Sequence, residues 1–514
     1  MTKEKKKLTK DKWRQTNCKK GQGKLCFPRS FFLLDPAIVL LLSQHRIRFT
    51  NQKFRKFLPV IMKYRNHILL LWFLPALVKA PTCNMQKRIS NPHQRPLKFD
   101  FGASAKKGYI IVDPQSIYNG FSGFGFEPGD FVMSVKRNNT DALYDGFVTS
   151  DKPFFFSVKI PEGNYDVKVA IGDPDGACDL VVRAECRRSM TERIVATKNE
   201  FKTVIFTVHV RDTFIRATDS KVRIKNRERD FLHWDDKLTL EFNGKEPKIS
   251  AIEITPASND VVTVFLAGNS TVVDQDKEPY AAWGQMIPAF FEPGTVSIAN
   301  YAESGESLSS FISEKRMDKI LSFMKPGDYA FVEFGHNDQK QTGEGIGAFT
   351  SYKKDLVYFI NEVKKKGGIP VVVTSMHRRN FNNLGKINQT LGDYPEAARQ
   401  TAREEKVPLI DLHAMSKILY EAWGPQESKK AFVIYPANTF PGQATALEDN
   451  THFNPYGAYE IARCIVNGIK ENNLGISSYI KKDLPPFDPT KPDSVTDFYW
   501  PLSPSIASKK PDGN

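Results

Sequence analysis

The 514 residues are too many for one ordinary hydrophobic core, and 40% hydrophobic with 25% charged residues excludes a fibrous or disordered chain. The formal net charge of +15 would fit a nucleic-acid or membrane-surface binder until its position is read. Residues 1–66 carry 18 Lys/Arg against 3 Asp/Glu, and the remaining 55 basic and 55 acidic residues cancel, so the body of the chain is no polyanion binder by charge.

Residues 1–96 read as a basic leader. Met62-Lys63-Tyr64-Arg65 precedes an apolar run from Ile68 to Val78. These are the basic and apolar parts of a secretory signal over about 62–80, too short for a comfortable membrane span. Val78-Lys79-Ala80 offers a small-residue cleavage site, against which Pro81 counts. The expectation is a translation start at Met62, a secreted or periplasmic product, and no stable membrane span after cleavage. The other reading is a start at Met1 with a basic arm and an uncleaved anchor. N-terminal sequencing of exported protein separates the two. The six cysteines (Cys18, Cys26, Cys83, Cys178, Cys186 and Cys464) include no CxxC pair, so no zinc site is expected. Cys178 and Cys186 either bridge neighbouring segments of an exported domain or remain two free buried thiols. Cys464 falls in a helical apolar pattern and reads as core.

Residues 97–257 read as all-β. Runs rich in β-branched and aromatic residues recur from Phe99 to Ile254, for example Phe154–Ile160, Tyr165–Ile171, Phe201–Val210 and Lys237–Phe242. Turn residues such as Pro161-Glu162-Gly163-Asn164 and Asn243-Gly244 separate them. Short strands at this spacing predict a two-sheet sandwich with no helix of length. The aromatic, glycine-rich run from Tyr118 to Phe126 reads first as strand and core cover, with stacking on sugar rings as the second reading.

From 258 to about 480, strand and helix patterns alternate. Val261–Leu266 is a short buried strand stopped by Gly268. Further strands are expected at Thr295–Ala299, Tyr329–Phe334, Ile369–Thr374 and Val407–Leu412. Helices are expected around Trp283–Phe290, Phe311–Leu321, Leu356–Val363 and Ala397–Ala402. A last helix is capped by Asn454, with Pro455 at its first position and a stripe of Ala458, Ile461, Ala462, Ile465 and Ile469. This alternation predicts a five-stranded parallel sheet covered on both faces. Right-handed crossovers bring the strand-to-helix loops to one edge.

Those loops hold the reactive residues. Ser270 follows the first strand, Gly305 lies after the second, Gly335-His336-Asn337-Asp338 follows the third, and Asp449-Asn450-Thr451-His452 precedes the last helix on what reads as a short loop. A serine hydroxyl needs a base to become a nucleophile, and His452 is the candidate. Asp449 would hold the imidazole tautomer and stabilise the imidazolium. The Ser270 N–H, the Gly305 N–H and the Asn337 amide are candidate oxyanion donors. His336 reads as loop support rather than as the base. Each piece alone is an ordinary turn or cap; four in order at one edge are a site.

Gly268-Asn269-Ser270, Gly305, Gly335-His336-Asn337-Asp338 and Asp449-x-x-His452 together resemble the four sequence blocks of the SGNH, or GDSL-like, hydrolases over about 220 residues. The resemblance implies a three-layer α/β/α fold and ester hydrolysis with no cofactor and no metal. It also implies a Ser-His-Asp triad on Ser270, His452 and Asp449, and an oxyanion hole on Ser270, Gly305 and Asn337. The first block usually has Asp where this chain has Asn269, which bears on loop electrostatics. Ala267–Thr271 and Phe334–Asp338 look most like the rhamnogalacturonan acetylesterases, which implies an acetylated plant cell-wall polysaccharide as substrate. The sandwich resembles galactose-binding-like domains in architecture. His377, Arg378 and Arg379, after the fourth strand, are candidate substrate contacts, the arginines as partners for galacturonate carboxylates or as a solvated basic loop. The insert from Tyr420 to Leu447 either walls the cleft or packs. Residues 481–514, with Phe487, Phe498, Tyr499 and Trp500, read as an extended tail laid over a domain. An esterase on xylan, sialate or lipid, and a catalytically idle carbohydrate binder, are the alternatives. The sequence leaves the oligomeric state open.

Overall fold

Glycine-stopped apolar runs become strands in the computed structural model, which describes residues 96–104, 106–507 and 510–511. The signal stretch, Met62 and Cys18, Cys26 and Cys83 lie outside the described residues. No helix among the described residues is long and apolar enough to cross a membrane.

The first part is a sandwich. One sheet runs Phe201–Val210, Gly163–Gly172, Lys248–Pro256, Leu97–Asp100, Ile110–Ile111, with Gly146–Thr149 and Met133–Lys136 added beside Lys248–Pro256. The other runs Ile194–Ala196, Cys178–Ala184, Lys237–Glu246, Phe154–Lys159, Phe124–Phe126, with Arg188–Ser189 beside Cys178–Ala184. Every other residue of a strand faces inward, so Val167, Val169 and Ile171 meet Phe154, Phe156 and Val158 in one core. In the aromatic run, Phe126 is buried and Phe124 packs against that core, whereas Phe121 is fully exposed. Cys178 and Cys186 are free and buried rather than bridged, and Cys464 is buried in the helix core.

The second part is a five-stranded parallel sheet in the order Val296–Asn300, Val262–Gly268, Tyr329–Glu333, Ile369–Val373, Leu409–Ile410. Alternate residues of the first strand serve opposite faces. Val264 and Leu266 pack with the helix Pro455–Glu471, and Phe265 and Ala267 with the helices Leu308–Ser313 and Lys353–Lys365. Both faces are therefore covered by helices.

Several boundaries differ from the sequence reading. The helix expected through Phe311–Leu321 is two helices, Leu308–Ser313 and Arg316–Phe323, broken at Lys315 with φ +63°. Trp283–Met286 is a single α-turn continued by a 3-10 turn to Phe290. The fifth strand is only Leu409–Ile410, because the Asp411 side chain caps the helix Leu412–Glu427 by accepting from Ala414 N at 3.3 Å. The insert after Tyr420 finishes that helix and then supplies the strand Phe432–Tyr435, which pairs antiparallel with Leu447–Phe453.

Two stretches join the parts. Ile215, Val222 and Trp234, between two sandwich strands, lie in the same apolar cluster as Phe265 and Tyr301 of the parallel-sheet part. The tail packs Phe487, Val495, Phe498 and Trp500 against the core under the helix Pro455–Glu471.

Candidate active site

The strand order has its reversal between the first and third strands, the place where open parallel sheets leave a crevice at their carboxyl ends. The register pairs Gly268 with Glu333, so the chain leaves both strands at one level. Ser270 and His336-Asn337 are thereby delivered to the same rim. The turn after the first strand closes when Asn269 Oδ1 accepts from Thr271 N at 3.1 Å and Thr271 Oγ1 at 2.9 Å. Gln275 Nε2 donates to the Ser270 carbonyl at 2.8 Å. The Asn in place of the usual Asp thus makes the local bonds that the loop needs.

Asp449 and His452 sit on the strand Leu447–Phe453, not on the loop expected from sequence. On a regular strand, residues three apart point to opposite faces. Here the register slips between Phe432 and Ile434, and Asp449 Oδ1 accepts from the backbone N–H of Thr451 at 2.9 Å and His452 at 3.0 Å. This local irregularity brings both side chains to one side. Asp449 Oδ2 accepts from His452 Nδ1 at 2.8 Å, and His452 Nε2 lies 2.8 Å from Ser270 Oγ. Burial raises the Asp449 pKa, but the bonds from the His452 ring and the two backbone N–H groups outweigh it and hold the carboxyl below its ordinary value. The imidazole therefore has an ionised neighbour at Nδ1 and presents Nε2 to the serine hydroxyl. Ser270 and His452 are nearly inaccessible, at 3% and 1% exposure, and the Tyr280 ring meets the imidazole edge-on at 5.8 Å. Water is thus scarce at the reacting atoms.

The candidate oxyanion donors differ in how they are held. Among the described residues, neither the Ser270 N–H nor the Gly305 N–H donates a hydrogen bond. The Asn337 amide is fixed by donating one N–H to the Glu306 carbonyl at 2.9 Å, while Lys340 Nζ donates to its Oδ1 at 3.2 Å. Asp338 ties the loops together, accepting from Leu308 N and Gly335 N at 2.8 Å each. Burial pushes its carboxyl up to about 6, and those backbone donors offset only part of the effect.

The other sequence candidates are placed differently. His336 is buried beside this cluster, and desolvation keeps it neutral, well below the usual imidazole range, so it is unsuited to carry a proton. His377 is buried with its ring stacked on His413 at 3.6 Å, and desolvation and His413 hold it down at about 3. Arg379 donates to Ser428 Oγ, Asn450 Oδ1 and the Pro425 carbonyl. Arg378 donates to the carbonyls of Thr390 at 3.3 Å and His336 at 3.4 Å.

Sequence reasoning missed Glu333, Gln275, Tyr280, Lys225 and Arg227. Glu333 had a signal, a charged residue inside the apolar strand Tyr329–Glu333. The carboxylates and histidine of Glu228, His233 and Glu303 come within 4.8 Å of one another. Glu228 is already spent on Arg316 at 3.0 and 2.5 Å, Trp234 Nε1 at 2.9 Å and Lys225 N at 2.7 Å. A metal would have to displace that buried guanidinium, and the group reads as an ion-pair network.

Comparison with known proteins supports the same assignment of parts. Residues 266–458 match the GDSL-like lipase/acylhydrolase family, and residues 97–202 the beta-agarase/YXIM esterase-like, galactose-binding domain-like family. The chain is 42% identical over 221 residues to rhamnogalacturonan acetylesterase RhgT of Bacillus subtilis (strain 168), covering 43% of this chain and 94% of that protein. It is 32% identical over 223 residues to the probable rhamnogalacturonan acetylesterase YesY of the same organism, covering 43% and 98%. It is 26% identical over 389 residues to that organism's uncharacterized esterase YxiM, covering 73% and 91%.

Proposed function

The chain belongs to the GDSL-like lipase/acylhydrolase family and is a carboxylic ester hydrolase of the acetylesterase type, and on that premise we propose that it deacetylates pectic rhamnogalacturonan through a Ser270–His452–Asp449 triad. In this reading Ser270 Oγ gives its proton to His452 Nε2 and attacks the acetyl carbonyl carbon. The carbonyl electron pair moves to oxygen. The Ser270 N–H, the Gly305 N–H and the Asn337 amide accept that charge by hydrogen bonding. Asp449 stabilises the imidazolium, which then protonates the departing sugar oxygen. Water repeats the sequence on the acetyl-enzyme, with His452 again as base and acetate leaving.

The observation that carries the mechanism is the unbroken chain of two 2.8 Å contacts from Ser270 Oγ through the His452 ring to Asp449. Support for the substrate is the likeness to two proteins named as rhamnogalacturonan acetylesterases. The reading includes export, which rests on the basic and apolar pattern at residues 62–80. The test is acetate release from acetylated rhamnogalacturonan and acetylated xylan side by side. Release from the first and little from the second is expected; the reverse preference would overturn the substrate. Ser270→Ala is expected to lower kcat on p-nitrophenyl acetate by at least about 10⁴-fold with an unchanged fold. Undiminished turnover would remove Ser270 from its role.

A further inference from the structure

Gly305 carries an acid on either side. Glu303 and Glu306 lie two residues before it and one after it, both buried at 1% exposure or less. Uncompensated negative charge there would repel the charge that the reaction develops beside the Gly305 N–H, and burial with Glu228 nearby pushes the Glu303 carboxyl up to about 8. The compensating cations come from outside the parallel-sheet part. Lys225 and Arg227 lie in the stretch between the sandwich strands Phe201–Val210 and Lys237–Glu246. Lys225 Nζ pairs with Glu306 at 2.5 Å, and Arg227 with Glu303 at 2.6 Å.

Both cations also reach the backbone. Lys225 Nζ donates to the Ser304 carbonyl at 2.6 Å, and Arg227 donates to the same oxygen at 2.7 Å. That carbonyl and the Gly305 N–H belong to one planar trans peptide, in which C=O and N–H point in opposite directions. Fixing the oxygen therefore fixes the direction of the N–H. Two cationic donors on the oxygen also draw electron density from the amide, which makes its N–H a stronger donor. Gly305 has φ +82°, so no side chain braces this turn, and the external cations hold it instead.

We propose that Lys225 and Arg227 are positioning residues for ester hydrolysis: they aim and polarise the Ser304–Gly305 peptide and neutralise the acids flanking it, so that the segment joining the sandwich strands completes the oxyanion hole. The proposal rests on the reading of Gly305 as an oxyanion donor. Because charge on the substrate oxygen grows only as the transition state forms, the effect belongs to kcat and not to KM.

The experiment uses the full chain, p-nitrophenyl acetate, and the double variant Lys225→Met/Arg227→Met. Expected is a fall in kcat of about 10- to 100-fold with KM within about twofold, less than the loss of a whole oxyanion donor. Active sites are counted by titration with a fluorophosphonate, so kcat refers to folded enzyme. The conservative pair Lys225→Arg/Arg227→Lys should recover most of the rate, and Arg229→Met, an exposed cation on the same turn, should leave it unchanged. An unchanged kcat in the double variant overturns the proposal. So does a loss explained by fewer titratable sites, a rise in KM alone, or an equal loss in Arg229→Met. Ser270→Ala in the same assay separates the two levels: activity surviving in that variant sinks the esterase site itself, while activity lost there but retained in the double variant sinks only the positioning role.

Discussion

At the scale of single residues, Glu333 is the acid that the mechanism does not use. It ends a core strand with its Oε2 accepting from Trp283 Nε1 at 2.7 Å and its Oε1 3.0 Å from Thr271 Oγ1. Burial without a cationic partner pushes it up to about 7, and the two neutral donors lower it only partly. Thr271 Oγ1 has one proton for two acceptors, Glu333 Oε1 and Asn269 Oδ1, and protonation of Glu333 resolves the conflict, because the acid can then donate to Thr271 while Thr271 donates to Asn269. An Asp at 269 would put a second buried acid on this chain; Asn keeps it neutral. The folded-state pKa lies above the ordinary 4.5, so the contribution of this group to stability is complete below about 4.5 and is lost as pH rises through about 7. Glu333→Gln preserves the donor and acceptor pattern without a titrating group. It should therefore be more stable than the parent at pH 9, on the order of 3 kcal/mol, and by less than about 1 kcal/mol at pH 5. Urea unfolding at the two pH values checks this, and an equal difference at both would refute it.

At the scale of elements, the strand ends do the positioning, and how well each was legible depends on whether its cause was local. The five parallel strands and the nucleophile turn were readable because a glycine, a short β-branched run and a helix pattern are neighbours in sequence. The base-bearing strand was not, because Asp449 itself bends it by accepting two backbone N–H groups, which erases the alternation that marks a strand. Likewise Lys225 and Arg227 meet the Ser304 carbonyl almost 80 positions later in the chain, and no spacing pattern encodes such a pairing. The break at Lys315 was hidden because a lysine in the left-handed region carries no signal of its own. The turn after the third strand offers a test at this scale. Gly335 has φ +144°, and a Cβ there would lie 2.6 Å from Ser375 Oγ, which itself donates to the Phe334 carbonyl at 2.7 Å. Gly335→Ala must shift the loop that carries Asn337. It should cost about 1–3 kcal/mol of stability and lower kcat more than it raises KM. Steady-state kinetics with a denaturation curve would show it, and a parent-like kcat would mean that the loop absorbs the methyl group away from Asn337.

At the scale of the whole molecule, the tail binds the two parts to each other through buried charge. Arg183 and Glu241 of the sandwich form an ion pair at 3.0 Å with side chains 1% exposed. Asn243 Nδ2 donates to Glu241 at 2.8 Å, and the tail supplies further partners. Arg183 donates to the Pro501 carbonyl at 2.6 Å and to Ser503 Oγ at 2.7 Å, and its guanidinium lies 3.7 Å from the Trp500 ring centre. The same Trp500 donates its Nε1 to Glu278 of the parallel-sheet part at 2.9 Å, and Glu278 exchanges backbone bonds with Ser505 and Ala507. One indole therefore covers a charge from each part. A buried ion pair is costly to leave half covered, because desolvation remains while the compensating contacts go. Trp500→Ala removes the cover from Arg183 and the donor from Glu278 together. We expect a loss of about 2–4 kcal/mol for this partly buried ring, with kcat per folded molecule unchanged, since the indole's contacts are with Arg183 and Glu278. Trp500→Phe keeps a face for the guanidinium but not the N–H, and should fall between the two. Thermal melts read beside p-nitrophenyl acetate turnover below the transition decide it: a melt equal to the parent's, or a fall in kcat at an unchanged melt, would show that the tail's contribution to stability lies elsewhere.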